Sequence, residues 1–196
     1  MGLGPIACLR REGLTRIALI TLALVLSATP GRADSDLPGK PGQLIETRPA
    51  GPVPPLTFTD INEQPANLDA YKGKPLIINL WATWCAPCIK EMPSLAKLAT
   101  ALKDQGVAVV AISEDRGGKF VVDPFLKEHQ IEGIPIYLDK TMSVGKAFRK
   151  STTLPMTILV DTKGDQIAWV YGDREWDAAD SKAEIAKLFG LKSPGG

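Results

Sequence analysis

Cys85 and Cys88, with Ala86 and Pro87 between them, are the side chains of this sequence best suited to covalent chemistry. A thiolate attacks a disulfide through a mixed-disulfide intermediate, so two cysteines at this spacing can pass two electrons to or from a partner. The chain has three cysteines in 196 residues, and the third, Cys8, lies in a basic leader ahead of an apolar run. One pair therefore remains for chemistry. It follows a β-prone run over Pro75 to Leu80 and precedes Ile89, Met92, Leu95, Leu98 and Leu102, which recur at helical spacing through Lys103. The pair thus sits where a buried strand feeds a helix. A thiolate there faces unsatisfied backbone N–H groups and the positive end of the helix dipole, which lowers the pKa expected of Cys85 toward neutrality and makes it the nucleophile. Cys88, three residues on and on the same face, is the resolving thiol. Pro87 is tolerated in a first turn, whose N–H groups have no intrahelical acceptor, and it stiffens the loop between the sulfurs.

Other uses of the motif fare less well. Structural zinc wants about four ligands, and beyond the leader the chain adds only His129 to these two cysteines. Attachment of c-type haem needs His after the second cysteine, where Ile89 stands. No metal and no cofactor are expected. A purely structural disulfide stays open as an alternative, although so short a loop removes little entropy from the unfolded chain.

The elements that must position the pair follow from composition and periodicity. Apolar residues at 44% and charged residues at 23% match an ordinary globular domain. Residues 1–33 have the layout of a secretory signal: Arg10, Arg11 and Arg16, an apolar run from Ile17 to Ala28, then small residues to Ala33. That run is shorter than the roughly 20 residues a spanning helix needs, so cleavage is favoured over a retained membrane anchor. Losing it removes four arginines and one glutamate, leaving 19 basic and 21 acidic side chains and no basic patch for nucleic acid. Residues 34–55, dense in Pro and Gly, read as a linker. Leu56 to Thr59 and Ala66 to Leu68 flank a turn and suggest a hairpin. Val107 to Ile112 completes a strand–helix–strand unit. A helix over Lys119 to Gln130, a strand over Ile134 to Leu138 and a short helix over Met142 to Arg149 follow. Strands over Met156 to Val160 and Gln166 to Tyr171 flank a turn-forming run, and a helix over Asp177 to Phe189 ends at Gly190.

The run Asn79-Leu80-Trp81-Ala82-Thr83-Trp84-Cys85-Ala86-Pro87-Cys88-Ile89-Lys90-Glu91-Met92-Pro93 resembles the active-site signature of the TlpA/ResA-like thioredoxin family, and the resemblance extends from about Leu56 to Leu191. It implies an α/β, thioredoxin-like fold: a mixed central sheet flanked by helices, with a β-hairpin N-terminal extension and a central helix-strand insert over Lys119 to Asp139. It implies an exported bacterial thiol-disulfide oxidoreductase, commonly a reductase serving cytochrome c maturation or cytochrome oxidase assembly. The family's cysteines carry over to Cys85 and Cys88, its active-site glutamate to Glu91, and its cis-proline beside the disulfide to Pro155. Glu91 is read either as the proton acceptor for Cys88 or as a surface acid favoured by the helix start. Ordinary thioredoxins carry a buried aspartate where this chain has Asn79, which leaves Glu91 as the substitute. Trp84, Ala86, Pro87 and Leu154 form the expected partner-binding surface. Trp81, Trp169 and Trp176 read as core or rim, and His129 as solvated.

The expected organisation is a leader at 1–33, a linker at 34–55, a thioredoxin-like domain at 56–191 and a tail at 192–196. The expected partners are protein disulfide substrates and a membrane electron donor for re-reduction, in the periplasm, with the protein a monomer. A copper-binding module of the same fold is the alternative, using the two thiols as soft ligands. Copper carriers of this fold tend to have a wider cysteine spacing and an added histidine. A peroxidase usually has Thr or Ser three residues before its nucleophile, where this chain has Ala82.

Overall fold

A computed structural model describes residues 1–2, 37–148 and 153–192. The expected leader with Cys8 and the 17–28 run, Arg149 at the end of the expected short helix, and most of the tail lie outside these residues. The compact unit begins at Pro38.

Its centre is strand β4 (Leu76–Trp81), every residue of which is buried. Side chains alternate across the strand. Ile77 and Trp81 join one hydrophobic cluster, while Leu76, Ile78 and Leu80 join another on the opposite face. A continuous apolar run is therefore what a strand covered on both sides requires. Helix α1 (Ala86–Lys103) leaves β4 through a short loop and covers the first face with Cys88, Met92, Leu95, Leu98 and Leu102. It continues through Pro93, which is exposed. The chain returns in β5 (Ala108–Ser113), parallel to β4 from Leu76 opposite Ala108 to Trp81 opposite Ser113.

Helix α2 (Lys119–Glu128) and strand β6 (Ile136–Leu138) supply the expected insert, β6 adding in parallel to β5. The hairpin of β2 (Phe58–Asp60) and β3 (Pro65–Ala66) extends that edge by pairing with β6. Helix α3 (Ser143–Phe148) puts Val144 into the second cluster. Strand β7 (Met156–Val160) runs antiparallel to β4, and β8 (Asp165–Tyr171) antiparallel to β7. Helix α4 (Ala179–Phe189) returns to the α1 side through Ile185, and Gly190 ends it at φ 66°, a left-handed conformation that glycine adopts without strain.

One expectation is corrected. Within the supposed linker, Ile45–Pro52 forms a strand, β1, paired antiparallel with β8, so the sheet has eight strands in the order β1-β8-β7-β4-β5-β6-β2-β3. The prolines are accommodated because β1 is an edge strand and its pairing is interrupted between Glu46 and Gly51, sparing Pro49 from the ladder.

Candidate active site

The α1 N-terminus is built by Cys85 itself. It is the N-cap residue, with extended backbone (φ −94°, ψ 98°), and its sulfur accepts the Cys88 backbone N–H at 3.3 Å. Its carbonyl accepts from Ile89 N at 3.0 Å. Ala86 and Pro87 occupy the first turn and are exposed, where proline forfeits no helical hydrogen bond. Cys85 and Cys88 are joined by a disulfide with Cα atoms 5.3 Å apart. Cys85 keeps a sliver of exposure at 6%, whereas Cys88 has none. A reagent therefore reaches Cys85 first.

The loop ahead of the cysteines is clamped from β5. Asp115, buried just beyond that strand, accepts from Thr83 N at 2.9 Å, Thr83 Oγ1 at 2.7 Å and Ser113 Oγ at 2.8 Å. Trp84, between this clamp and Cys85, is 63% exposed. The indole therefore does not pack into the core. Pro155 is buried, its bond to Leu154 is cis, and Leu154 is half-buried.

Glu91 is not a surface acid. It is 2% exposed on the buried face of α1, one turn from Cys88. Its carboxylate accepts Asn79 Nδ2 at 2.7 Å, Trp176 Nε1 at 3.0 Å and Arg174 N at 3.1 Å. Burial pushes the carboxyl up to about 7, against the pull of these three hydrogen bonds, and nearby Asp173 adds to the rise. A carboxyl poised near neutrality can exchange a proton with a thiol. Asn79 is placed by strand alternation: it lies on the Ile77 and Trp81 face of β4 and pairs in register with Thr157 of β7, whose Oγ1 it also contacts at 2.9 Å. Asn79 Oδ1 is buried and has no hydrogen-bond partner.

Sequence reasoning missed two parts of this centre. Trp176 is a core residue, as expected, but its indole N–H is committed to Glu91. Asp115 carried no signal beyond an acid after a strand. For Glu91 the signal existed: position 91 is three after Cys88 and four before Leu95, inside the apolar stripe. His129 is exposed, its ring tilted against that of Phe125 with centroids 4.2 Å apart. A groove of about 590 Å³ lined by Val53, Leu56, Tyr71 and Leu76 lies at the opposite end of β4 from the cysteines. Among the described residues, no group of three or more His, Cys, Asp or Glu side chains could hold a metal.

Known proteins resemble this chain in sequence and fold. The model of the AhpC/TSA family matches residues 49–169. Thiol-disulfide oxidoreductase ResA of Bacillus thuringiensis subsp. konkukian is 31% identical over 122 residues, covering 62% of this chain and 69% of that protein. ResA of Bacillus subtilis is 34% identical over 120 residues, covering 61% and 65%. The thioredoxin domain of a thiol-disulfide oxidoreductase from Bacteroides vulgatus superposes with a TM-score of 0.58 at 27% identity, over 72% of this chain and 99% of that one. A DsbF homologue from Corynebacterium diphtheriae has a TM-score of 0.61 at 23% identity, over 78% and 94%, a likeness of fold. The family match spans more than half of the chain and the relatives carry one activity between them: this chain belongs to the AhpC/TSA family, as a thiol-disulfide oxidoreductase of thioredoxin-like fold.

Proposed function

We propose that the protein is an exported reductase of disulfides in partner proteins. Cys85 attacks the partner's disulfide, and Cys88 resolves the mixed disulfide to release the reduced partner. The observation that carries this reading is the asymmetry of the pair: Cys85, at the helix start with its sulfur accepting a backbone N–H, keeps the little exposure the disulfide has, while Cys88 is sealed. Glu91 takes the Cys88 proton during resolution. By resemblance to the family, cis-Pro155 is the proline that borders the disulfide, and Trp84, Ala86, Pro87 and Leu154 form the surface that receives the partner.

Among the described residues no helix is long and apolar enough to cross a membrane, and the apolar run at 17–28 lies outside them. Export to the periplasm rests on that run and its basic flank, with cleavage near Ala33. The working protein is then a monomer, re-reduced by a membrane electron donor. Its substrates belong to cytochrome c maturation or cytochrome oxidase assembly, by resemblance to the TlpA/ResA-like proteins. Incubating the reduced protein with oxidised apocytochrome c tests this. Stoichiometric appearance of haem-site thiols supports the reading, and their absence while insulin is reduced would leave the activity but remove the substrate class.

A further inference from the structure

The three donors to Glu91 are unevenly shared. Trp176 Nε1 and Arg174 N both converge on Oε2, at 3.0 and 3.1 Å, whereas Oε1 takes only Asn79 Nδ2. A carboxylate oxygen offers about two lone-pair sites, so Oε2 is filled and Oε1 keeps one open. We propose that Trp176 is a positioning residue for thiol-disulfide exchange: by occupying Oε2 it directs the proton that leaves Cys88 to Oε1. This rests on the reading of Glu91 as the proton acceptor.

The indole is held for such a task. Trp176 is fully buried, and its backbone N–H donates to Ser94 Oγ at 3.0 Å, which in turn donates to the Glu91 carbonyl at 2.8 Å. The Arg174 guanidinium lies over the ring at 5.5 Å and is itself pinned by Ser181 Oγ at 2.8 Å, Gly42 O at 3.3 Å and Glu184. Tight docking of the Pro41–Gly42 segment also explains Gly172: at φ 73°, an added Cβ would fall 2.7 Å from Pro41.

The step balances as follows. In the mixed disulfide between Cys85 and a partner, Cys88 gives its proton to Glu91 Oε1, leaving a thiolate and a neutral carboxyl. The thiolate attacks Cys85 Sγ. The Cys85–Cys88 bond forms, the Cys85–partner bond breaks, and the partner sulfur leaves as thiolate with that bond's electron pair. The dithiol is oxidised by two electrons and the partner reduced by two. The other charged or titratable groups around Glu91 are Asp173 and Arg174 from the β8–α4 connection, Lys90 of α1 paired with Asp173, and Cys88; Asn79 and Thr157 are neutral.

The experiment is a single turnover of the reduced full chain against dithiobis(nitrobenzoate), across pH. The second release of thionitrobenzoate reports resolution by Cys88. Trp176→Phe keeps the bulk and removes one N–H from the ionised carboxyl, so the midpoint of that phase rises by about one pH unit. Glu91→Gln abolishes the midpoint, and adding Trp176→Phe to it changes nothing further. An unmoved midpoint in Trp176→Phe, with Glu91→Gln still abolishing it, overturns the role of Trp176 alone. A wild-type midpoint in Glu91→Gln overturns the reading of Glu91 and the proposal with it. If Trp176→Phe does not fold, the indole N–H resonance of Trp176 in the wild-type chain decides. It moves with the same midpoint and stays fixed in Glu91→Gln; a resonance indifferent to pH overturns the proposal.

Discussion

Asn79 Nδ2 lies 2.7 Å from Glu91 Oε1, joining the middle of the central strand to the first turns of the helix that carries the cysteines. The strand supplies the contact because its period of two turns Asn79 to the same face as Ile77 and Trp81. The helix supplies it because Glu91 falls in the stripe that runs from Cys88 to Leu102. A carboxyl in that place is desolvated whether or not it is ionised, and its proton affinity becomes a property of the packing.

Stability should therefore fall with rising pH. The folded chain holds the Glu91 proton up to about 7, while an unfolded chain releases it near the ordinary value of 4.5. Between these values the folded state binds more protons, so stability is highest below the window and declines through it, by roughly 3 kcal/mol in all. Urea unfolding of the oxidised protein at pH 5 and pH 8 measures this. Glu91→Gln should flatten the dependence; an equal slope in the variant would place the titration elsewhere.

Replacing Asn79 by Asp sets a second carboxyl against the first. Two acids at this separation cannot both ionise, so one stays protonated well above neutrality. Asn79→Asp is expected to be close to wild type at pH 5 and destabilised by about 2 kcal/mol at pH 8. The same pair of unfolding curves checks it.

The Thr83–Asp115 clamp should bear on stability and on the cysteine loop together. Asp115→Ala leaves the Thr83 N–H, the Thr83 hydroxyl and the Ser113 hydroxyl without their buried acceptor, at a cost of about 3 kcal/mol. Thermal unfolding reads the loss. A variant as stable as wild type would mean that water replaces the carboxylate.

Beginning the chain at Val53 deletes β1 and bares the outer edge of β8. An uncovered edge offers unpaired N–H and C=O groups to another copy. The truncated protein should unfold at lower denaturant and associate at high concentration, which sedimentation would register. A stable monomer would make β1 dispensable, as a linker would be.

What could be read from the sequence was local. The alternation and apolar run of β4, the stripe of α1 and the turn between β7 and β8 each lie within a few residues, and all three elements form close to the expected bounds. The cysteine pair was legible because its spacing and its place at a strand–helix junction are local too. Trp176 was not, since 85 residues separate it from Glu91 and only the return of the chain after β8 brings them together. Strand β1 hid behind its prolines: composition argues against a central strand but is silent about an edge. Asp115 acts through backbone and hydroxyl groups of Thr83, which leave no pattern along the chain.

The midpoint potential of the Cys85–Cys88 pair, measured against glutathione and dithiothreitol buffers at pH 7, tests the central claim most directly. A reductase whose dithiol is spent on partner disulfides should fall below about −200 mV, among the reducing members of the thiol-disulfide scale. A value near −120 mV, that of a strong oxidant, would contradict it.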